Sequence, residues 1–351
     1  MAHLKDTVQD TNEFSRQMKS ISLTVEAWKR FKKNKMSYIS LWAAGIYMII
    51  SILAPILPFH PYYEQVIDHA NLPPSFRTAG EVQLEVRNAY YERVMKIQKR
   101  TELTNAEKSE LERIMNANET ESVQKRRYLL GTDSLGRDML ARTIYGGRIS
   151  MAIGLIGTIT ALIIGVLVGA IAGYAGGRLD MILMRFVDIM YGLPYMLIVI
   201  IMMAILGKSL AILFVAIALV SWLTIARVVR GQVISLKNSE YILAARSMGA
   251  SGWHIITRHL IPNTMGIIIA YATLSIPSFI MSESFLSFLG LGVSAPLASW
   301  GSLVSDGVQG MELYPWILLV PAVTMTLFLF SMNFIGDGIR DALDPQSKNR
   351  L

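Results

Sequence analysis

The residues best able to carry chemistry in this sequence are few. Histidine is the side chain suited to acid–base work near neutral pH and to metal binding, and the chain has five. His3, His60 and His69 are scattered, while His254 and His259 are five apart. On a helix of 3.6 residues per turn that spacing is poor for a shared metal site, and no carboxylate beside them completes one. There is no cysteine, which removes thiol nucleophiles, thiolate metal ligands and disulfides. The stretch Gly131-Thr132-Asp133-Ser134-Leu135-Gly136-Arg137-Asp138 resembles a phosphate cradle only at first sight, because no Gly-Lys-Ser/Thr follows its glycines. Gly-x4-Gly-Lys-Ser/Thr occurs nowhere in the chain. No catalytic residue, metal site or cofactor is therefore expected within it.

The elements around these residues explain the poverty. Of 351 residues, 52% are apolar and 17% charged, with a mean hydropathy of +0.41 and a net charge of +7. Soluble domains carry about a quarter charged residues, so these values describe an all-α integral membrane protein. Six stretches approach or exceed the roughly 20 apolar residues that cross a hydrocarbon core of about 30 Å: 38–59, 149–177, 189–207, 209–226, 260–282 and 313–336. Only Lys208 separates the third from the fourth. A single long helix competes there with a hairpin, and Gly207-Lys208 favours the hairpin because glycine ends helices and the charge avoids the bilayer interior.

Positive charges orient the spans. With both termini in the cytoplasm, fifteen Lys and Arg lie within about 15 residues of a span on the cytoplasmic side, among them Lys29, Arg30, Arg185, Arg227, Arg258, Arg340, Lys348 and Arg350, against Lys208 alone in the short outer loops. About 35 mostly polar residues precede the first span, and no small-x-small cleavage site follows it, so it reads as a retained anchor. The expected divisions are a cytoplasmic tail 1–37, an anchor 38–59, an outer insertion and elbow 60–148, a five-helix core 149–336 with a cytoplasmic loop 237–263, and a tail 337–351. Within the insertion, Pro55, Pro58, Pro61, Pro73 and Pro74 keep the entry extended. A helical hairpin follows, with Val82, Val86, Ala89, Val94 and Ile97 on its first helix and Leu111, Ile114 and Met115 on its second, the latter opened by a Thr104–Glu107 capping box. Asp133 or Ser134 can cap the next helix, and Arg137 with Asp138 can pair locally.

The loop after the fourth span is amphipathic. It reads as two short helices with a turn at Gly249, Ser251 capping the second and Pro262 closing it. Ala244 and Ala245 let another surface approach, and Ile255 and Ile256 give an apolar side. Such a pair suits a groove in a partner protein or an interfacial connector. Its spacing, Glu240-x3-Ala244-Ala245-x3-Gly249-x5-Ile255 and then Pro262, resembles the EAA signature of ATP-binding-cassette importer permeases. The 131–150 stretch, the run through Phe288, Gly290, Gly292, Pro296, Ser299, Trp300, Gly301 and Asp306-Gly307, and the tail from Asn333 to Asp344-Pro345 are similar to the C-type subunit of oligopeptide, dipeptide and nickel permeases. Together these cover about 128–345 and the first span. The insertion is longer than expected for the family.

The resemblance implies a type I ABC importer permease fold in a bacterial inner membrane, moving peptides by alternating access. Its implied partners are a second homologous permease, two ABC ATPases carrying ATP and Mg, an extracytoplasmic binding protein and membrane lipid, with no nucleic acid. ATPase coupling would fall to Glu240, Ala244, Ala245, Arg246, Gly249, Ile255, Arg258 and Pro262. Gly131, Thr132, Asp133, Gly136, Arg137 and Asp138 would form an outer elbow; Glu283, Pro296 and Trp300 would line a pathway or gate. A nickel or metal-chelate cargo is the alternative within the family. A secondary transporter would need mid-membrane ionisable residues or inverted repeats; neither is visible.

Charges near the spans have plainer readings too. Asp188 follows Arg185 by three residues and fits a local pair, and Glu283 lines the path or reaches water. Pro194 and Pro277 are expected to kink the third and fifth spans. The 20 methionines are mostly core filler, with a minority able to furnish an adaptable cavity wall.

Overall fold

The computed structural model describes residues 23–343. His3, Asp344, Pro345, Lys348 and Arg350, together with most of both expected tails, lie outside the described residues. Among the described residues there is no β-strand, only an isolated bridge between Thr132 and Asp138. The helices are α1 (Leu23–Lys33), α2 (Lys35–Leu53), α3 (Ala79–Gln98), α4 (Asn105–Thr120), α5 (Met139–Ala175), α6 (Gly177–Gly192), α7 (Tyr195–Leu206), α8 (Leu210–Leu236), α9 (Glu240–Ser247), α10 (Gly252–Ile255), α11 (Ile261–Phe288), α12 (Trp300–Val308) and α13 (Pro315–Leu343). A π-turn at Ile256–Leu260 joins α10 to α11.

Five helices among the described residues are long and apolar enough to cross a membrane, and a sixth crossing arises if α6 and α7 count as one bent span. The third span is thus not a single kinked helix. Gly192 ends α6, Pro194 caps α7, and the two axes differ by 78°. Pro194 cannot donate to the preceding turn, and the residue before it avoids helical backbone. The break at Gly207 is present, with φ +96 there and Ser209 capping α8.

Helix ends depart from the hydrophobic limits. α5 begins ten residues before 149, so the expected boundary at 148 falls inside a helix, and α8 carries Arg227 and Arg230 beyond 226. Absence of charge marks the apolar thickness, whereas hydrogen bonding continues each helix past it. In the other direction, Pro55 and Pro58 stop α2 at Leu53.

The long helices pack in the order α2, α13, α11, α5, α8, α7. The closest contact, α5 on α8, depends on Gly165, Gly169 and Gly173, spaced by four on one face. A Cβ on Gly169 would stand 2.4 Å from the Ala226 carbonyl oxygen. Small residues at this spacing let backbones approach in lipid, where dispersion rather than water exclusion holds helices together.

The insertion contains the expected hairpin. Thr104 and Glu107 form the capping box, with the Thr104 N–H donating to Glu107 at 2.7 Å and the Glu107 N–H to the Thr104 hydroxyl at 3.3 Å. The apolar face of α3 is corrected. Val82 is buried, but Val86, Ala89 and Ile97 are exposed, and Tyr91 takes the inner position, its hydroxyl donating to Glu110 of α4. Ile114 is buried on α4 while Met115 is exposed. With few apolar residues to share, the hairpin closes through polar pairs, including a two-pronged contact from Arg100 to Glu107 at 2.9 and 3.2 Å.

Candidate functional site

The loop after α8 has the expected two helices. Glu240 stands in the first turn of α9, where a carboxylate complements the helix dipole. The chain reverses at Gly249, φ +87, with the Gly249 N–H donating to Arg246 O and the Ala250 N–H to Ala245 O. Ser251 then accepts from the His254 N–H at 3.3 Å and opens α10.

Packing divides the loop into a root and a crest. Ile242, Ala245, Ile255, Ile256 and Leu260 are buried; Glu240, Tyr241, Leu243, Ala244, Arg246, Met248, Gly249, Trp253 and Arg258 are exposed. Two expectations change. Ala245 and the Ile255–Ile256 pair face the chain's own core, leaving Ala244 with Tyr241, Leu243, Met248 and Trp253 as the open apolar face. Pro262 does not close a helix. It sits in the first turn of α11, and a continuous helical stretch, Gly252–Phe288, runs through it. The π-turn, in which the Ile261 N–H reaches Ile256 O, lies immediately before Pro262, where an α-helix would lose a donor and crowd a carbonyl.

The same π-turn brings His254 and His259 side by side despite their spacing. One extra residue per turn makes positions five apart neighbours, and the rings of His254 and His259 lie 5.8 Å apart. They border a shallow depression of about 350 Å³ with Ala245, Met248, Gly249, Ala250 and Ser251. No group of three or more metal-ligating side chains occurs among the described residues.

Two ion pairs tie α6 to α8 near this loop. Arg230 grips Asp180 with Nε and Nη2, the latter at 2.6 Å. Arg227 donates to Asp188 at 2.7 Å and lies 3.9 Å over the Tyr191 ring. Asp188 therefore pairs across helices with Arg227, not with Arg185 on its own helix, because the bend at Pro194 lays α6 along α8. Local spacing gave no signal for this.

At the elbow, the expected pairing is also rearranged. Asp138 caps α5, accepting from the Leu140 N–H at 2.9 Å, and burial pushes its carboxyl above the usual range against those backbone donors. Asp133 is buried and receives the N–H of Leu135 and Arg137, Arg137 Nε at 2.7 Å, and Arg142 Nη1. Arg137 thus pairs with Asp133 rather than Asp138. Arg142 extends the chain of charges to Asp306 on α12 at 3.7 Å. Gly131 and Gly136 take left-handed φ of +78 and +70, and a Cβ on Gly136 would stand 1.8 Å from the Val66 carbonyl oxygen. Thr132 sits between the insertion and the bundle. Its hydroxyl donates to His69 O and accepts the Leu72 N–H, and its carbonyl accepts Trp316 Nε1–H of α13.

Of the three residues assigned to a pathway, only Pro296 is exposed. Glu283 and Trp300 are fully enclosed. Glu283 accepts from Ser287 and Ser299 at 2.6 Å each and from Ser150 at 3.3 Å. Trp300 donates its backbone N–H to Ser150 at 3.1 Å and its indole N–H to Tyr47 and Thr143 O. The pair forms a polar junction of α2, α5, α11 and α12. Neither meets solvent within this chain.

Residues 165–349 match the family described as binding-protein-dependent transport system inner membrane component, and residues 22–74 match the N-terminal TM domain of oligopeptide transport permease C. The dipeptide transport system permease protein DppC of Bacillus subtilis is 38% identical over 93% of this chain and 87% of its own length. That alignment runs through the insertion. The oligopeptide transport system permease protein OppC of Haemophilus influenzae is 48% identical over 63% of this chain and 71% of its own. Among solved structures, a chain of the inward-facing MetNI methionine ABC transporter aligns with 59% of this chain and 98% of its own at 20% identity, TM-score 0.49.

Proposed function

The chain belongs to the family of binding-protein-dependent transport system inner membrane components, and from that premise we propose that it is one permease subunit of an ATP-driven importer of oligopeptides or dipeptides. Its relatives are dipeptide and oligopeptide permeases, which supports a peptide cargo. In this reading the chain forms half of a pathway whose other half is a homologous permease. Two ABC ATPases bind ATP and Mg, and an extracytoplasmic protein delivers the peptide. Six crossings, with α6 and α7 as one bent span, leave both termini and the α9–α10 loop in the cytoplasm and the α3–α4 insertion outside.

The observation that carries the proposal is the construction of the α9–α10 loop. Its exposed crest of Tyr241, Leu243, Ala244, Met248 and Trp253 stands on a buried root, and α10 continues into the 37-residue helical stretch Gly252–Phe288. A groove that seizes the crest moves the span without an intervening hinge. ATP favours one membrane state only because the closed ATPase dimer holds the loop differently from the open one. The Arg227–Asp188 and Arg230–Asp180 pairs carry that displacement to α6 as well.

The test is Glu240→Lys together with Trp253→Ala, assayed for peptide uptake, membrane level and ATPase co-purification. Loss of uptake and of bound ATPase at normal membrane level is the expected result. Unchanged uptake with bound ATPase rejects the coupling role.

A further inference from the structure

The helix that precedes the first apolar span has two unlike sides. On the inner side of α1, Phe31 is buried and Glu26 pairs with Arg30. This side rests on α13, where a Cβ on Gly338 would lie 2.9 Å from the Phe31 ring and 2.4 Å from the Ser37 hydroxyl. On the outer side Val25, Trp28, Lys29, Lys32 and Lys33 are exposed. Lys32 holds its ammonium 5.1 Å over the Trp28 ring, which itself stacks on Phe31 at 5.6 Å. Among the described residues, Lys29, Lys33 and Lys35 make no ion pair or ring contact.

We propose that the outer face of α1 binds the anionic headgroups of phospholipids in the leaflet where the first span begins. Three observations converge on that occupant. Only Asn34 separates α1 from α2, an apolar helix long enough to span, so α1 is held at the level where hydrocarbon gives way to headgroups. The face joins an apolar edge, Val25 and Trp28, to a crest of lysines, the pattern of helices that lie in the interfacial plane. Its charge is of one sign and is not neutralised among the described residues, which complements a negative surface. Trp28 can rest at the acyl boundary while the lysine stems extend their ammonium groups to the phosphates. Lipid bound here bears on α13 through Phe31 and Gly338, so headgroup charge also sets how firmly α1 is clamped to the bundle.

The proposal is tested on the full chain, purified in neutral detergent doped with equal phosphatidylglycerol and phosphatidylcholine, by quantifying the lipid that co-purifies. Wild type should be enriched in phosphatidylglycerol. Each basic side chain at an anionic surface is worth roughly fivefold in occupancy, so Lys29→Gln with Lys32→Gln and Lys33→Gln should lower the enrichment by roughly tenfold or more. Lys29→Arg with Lys32→Arg and Lys33→Arg should keep it. Should the glutamine variant fail to fold, wild type decides alone, since enrichment must fall as salt is raised from about 50 to about 500 mM. Equal retention of the two lipids by wild type, enrichment unchanged in the glutamine variant, or insensitivity to salt overturns the proposal. So does a glutamine variant that keeps its phosphatidylglycerol but loses ATPase subunits, because the face would then belong to a protein. The readout is lipid composition, so failed transport leaves it unaffected.

Discussion

Ser299 donates its hydroxyl to Glu283 across 2.6 Å, while the same oxygen accepts the Ser302 N–H at 3.1 Å. Ser150 is placed alike, accepting the Trp300 N–H and donating to Glu283. Both hydroxyls are thereby turned toward one carboxylate inside the bundle. A buried hydroxyl left without its acceptor costs about 1–3 kcal/mol. Glu283→Ala should therefore lower stability by about 3 kcal/mol or more, read as a fall in the thermal midpoint in detergent. Ser299→Ala, removing one donor, should cost about half as much. Equal, negligible shifts would show that the junction does not hold α11 to α12.

Gly249 is surrounded by open space, with no atom within 4 Å of where a Cβ would lie. Any penalty on substitution comes from its left-handed φ rather than from crowding, about 1–2 kcal/mol for an ordinary residue and less for asparagine. Gly249→Val should depress uptake strongly and Gly249→Asn mildly, at equal membrane level. If asparagine is as damaging as valine, the position is guarded by a partner's surface and not by the turn.

Gly169 presents the opposite case. Its φ is helical, but the Ala226 backbone occupies the space of a Cβ. Gly169→Leu should separate α5 from α8 and reduce folded protein in membranes severalfold, measured by protease resistance. Gly45, with nothing within 4 Å, should accept leucine with little change.

The insertion should be sensitive to acid in one defined window. His69 is buried, bonded to Tyr128 at 3.1 Å and Gln124 at 3.0 Å, and burial lowers its pKa from the ordinary 6.5. The unfolded segment then binds more protons than the folded one. Stability is complete above about 6.5 and declines as pH falls through that value toward the lowered one. Hydrogen-exchange protection of α3 and α4, corrected for intrinsic rate, should drop between about pH 7.5 and about pH 5.5, and His69→Gln should flatten the drop. Glu107, which the Arg100 guanidinium and then the Thr104 N–H pull down to about 2, acts in a separate range. Its contribution is present above 4.5 and is lost only as pH falls toward about 2.

The ion pairs between α6 and α8 should differ in weight. Asp188 and Arg227 are substantially exposed, and Asp188→Asn should change stability by about 0.5 kcal/mol or less. Asp180 is more enclosed and gripped by two nitrogens. Asp180→Asn should cost about 1–3 kcal/mol, seen as a larger fall in thermal midpoint.

What the sequence alone determined is whatever depends on neighbours along the chain. Charge-free runs located the apolar helices, Gly207 and Gly249 the reversals, Thr104 with Glu107 and Ser251 the caps, and the Glu240-to-Pro262 spacing the family. Gly165, Gly169 and Gly173 stand four apart in the sequence, but only the packing shows that this stripe meets α8. Tertiary structure decided what depends on which helices lie side by side. Asp188 chose Arg227 over Arg185, Arg142 reached Asp306 on α12, and Glu283 met serines from α5 and the segment before α12 instead of water. The π-turn before Pro262 joined two histidines that an α-helical wheel separates. The reason is physical: caps and turns are fixed by bonds spanning a few residues, whereas a buried charge takes whatever partner the packing of distant helices places within reach.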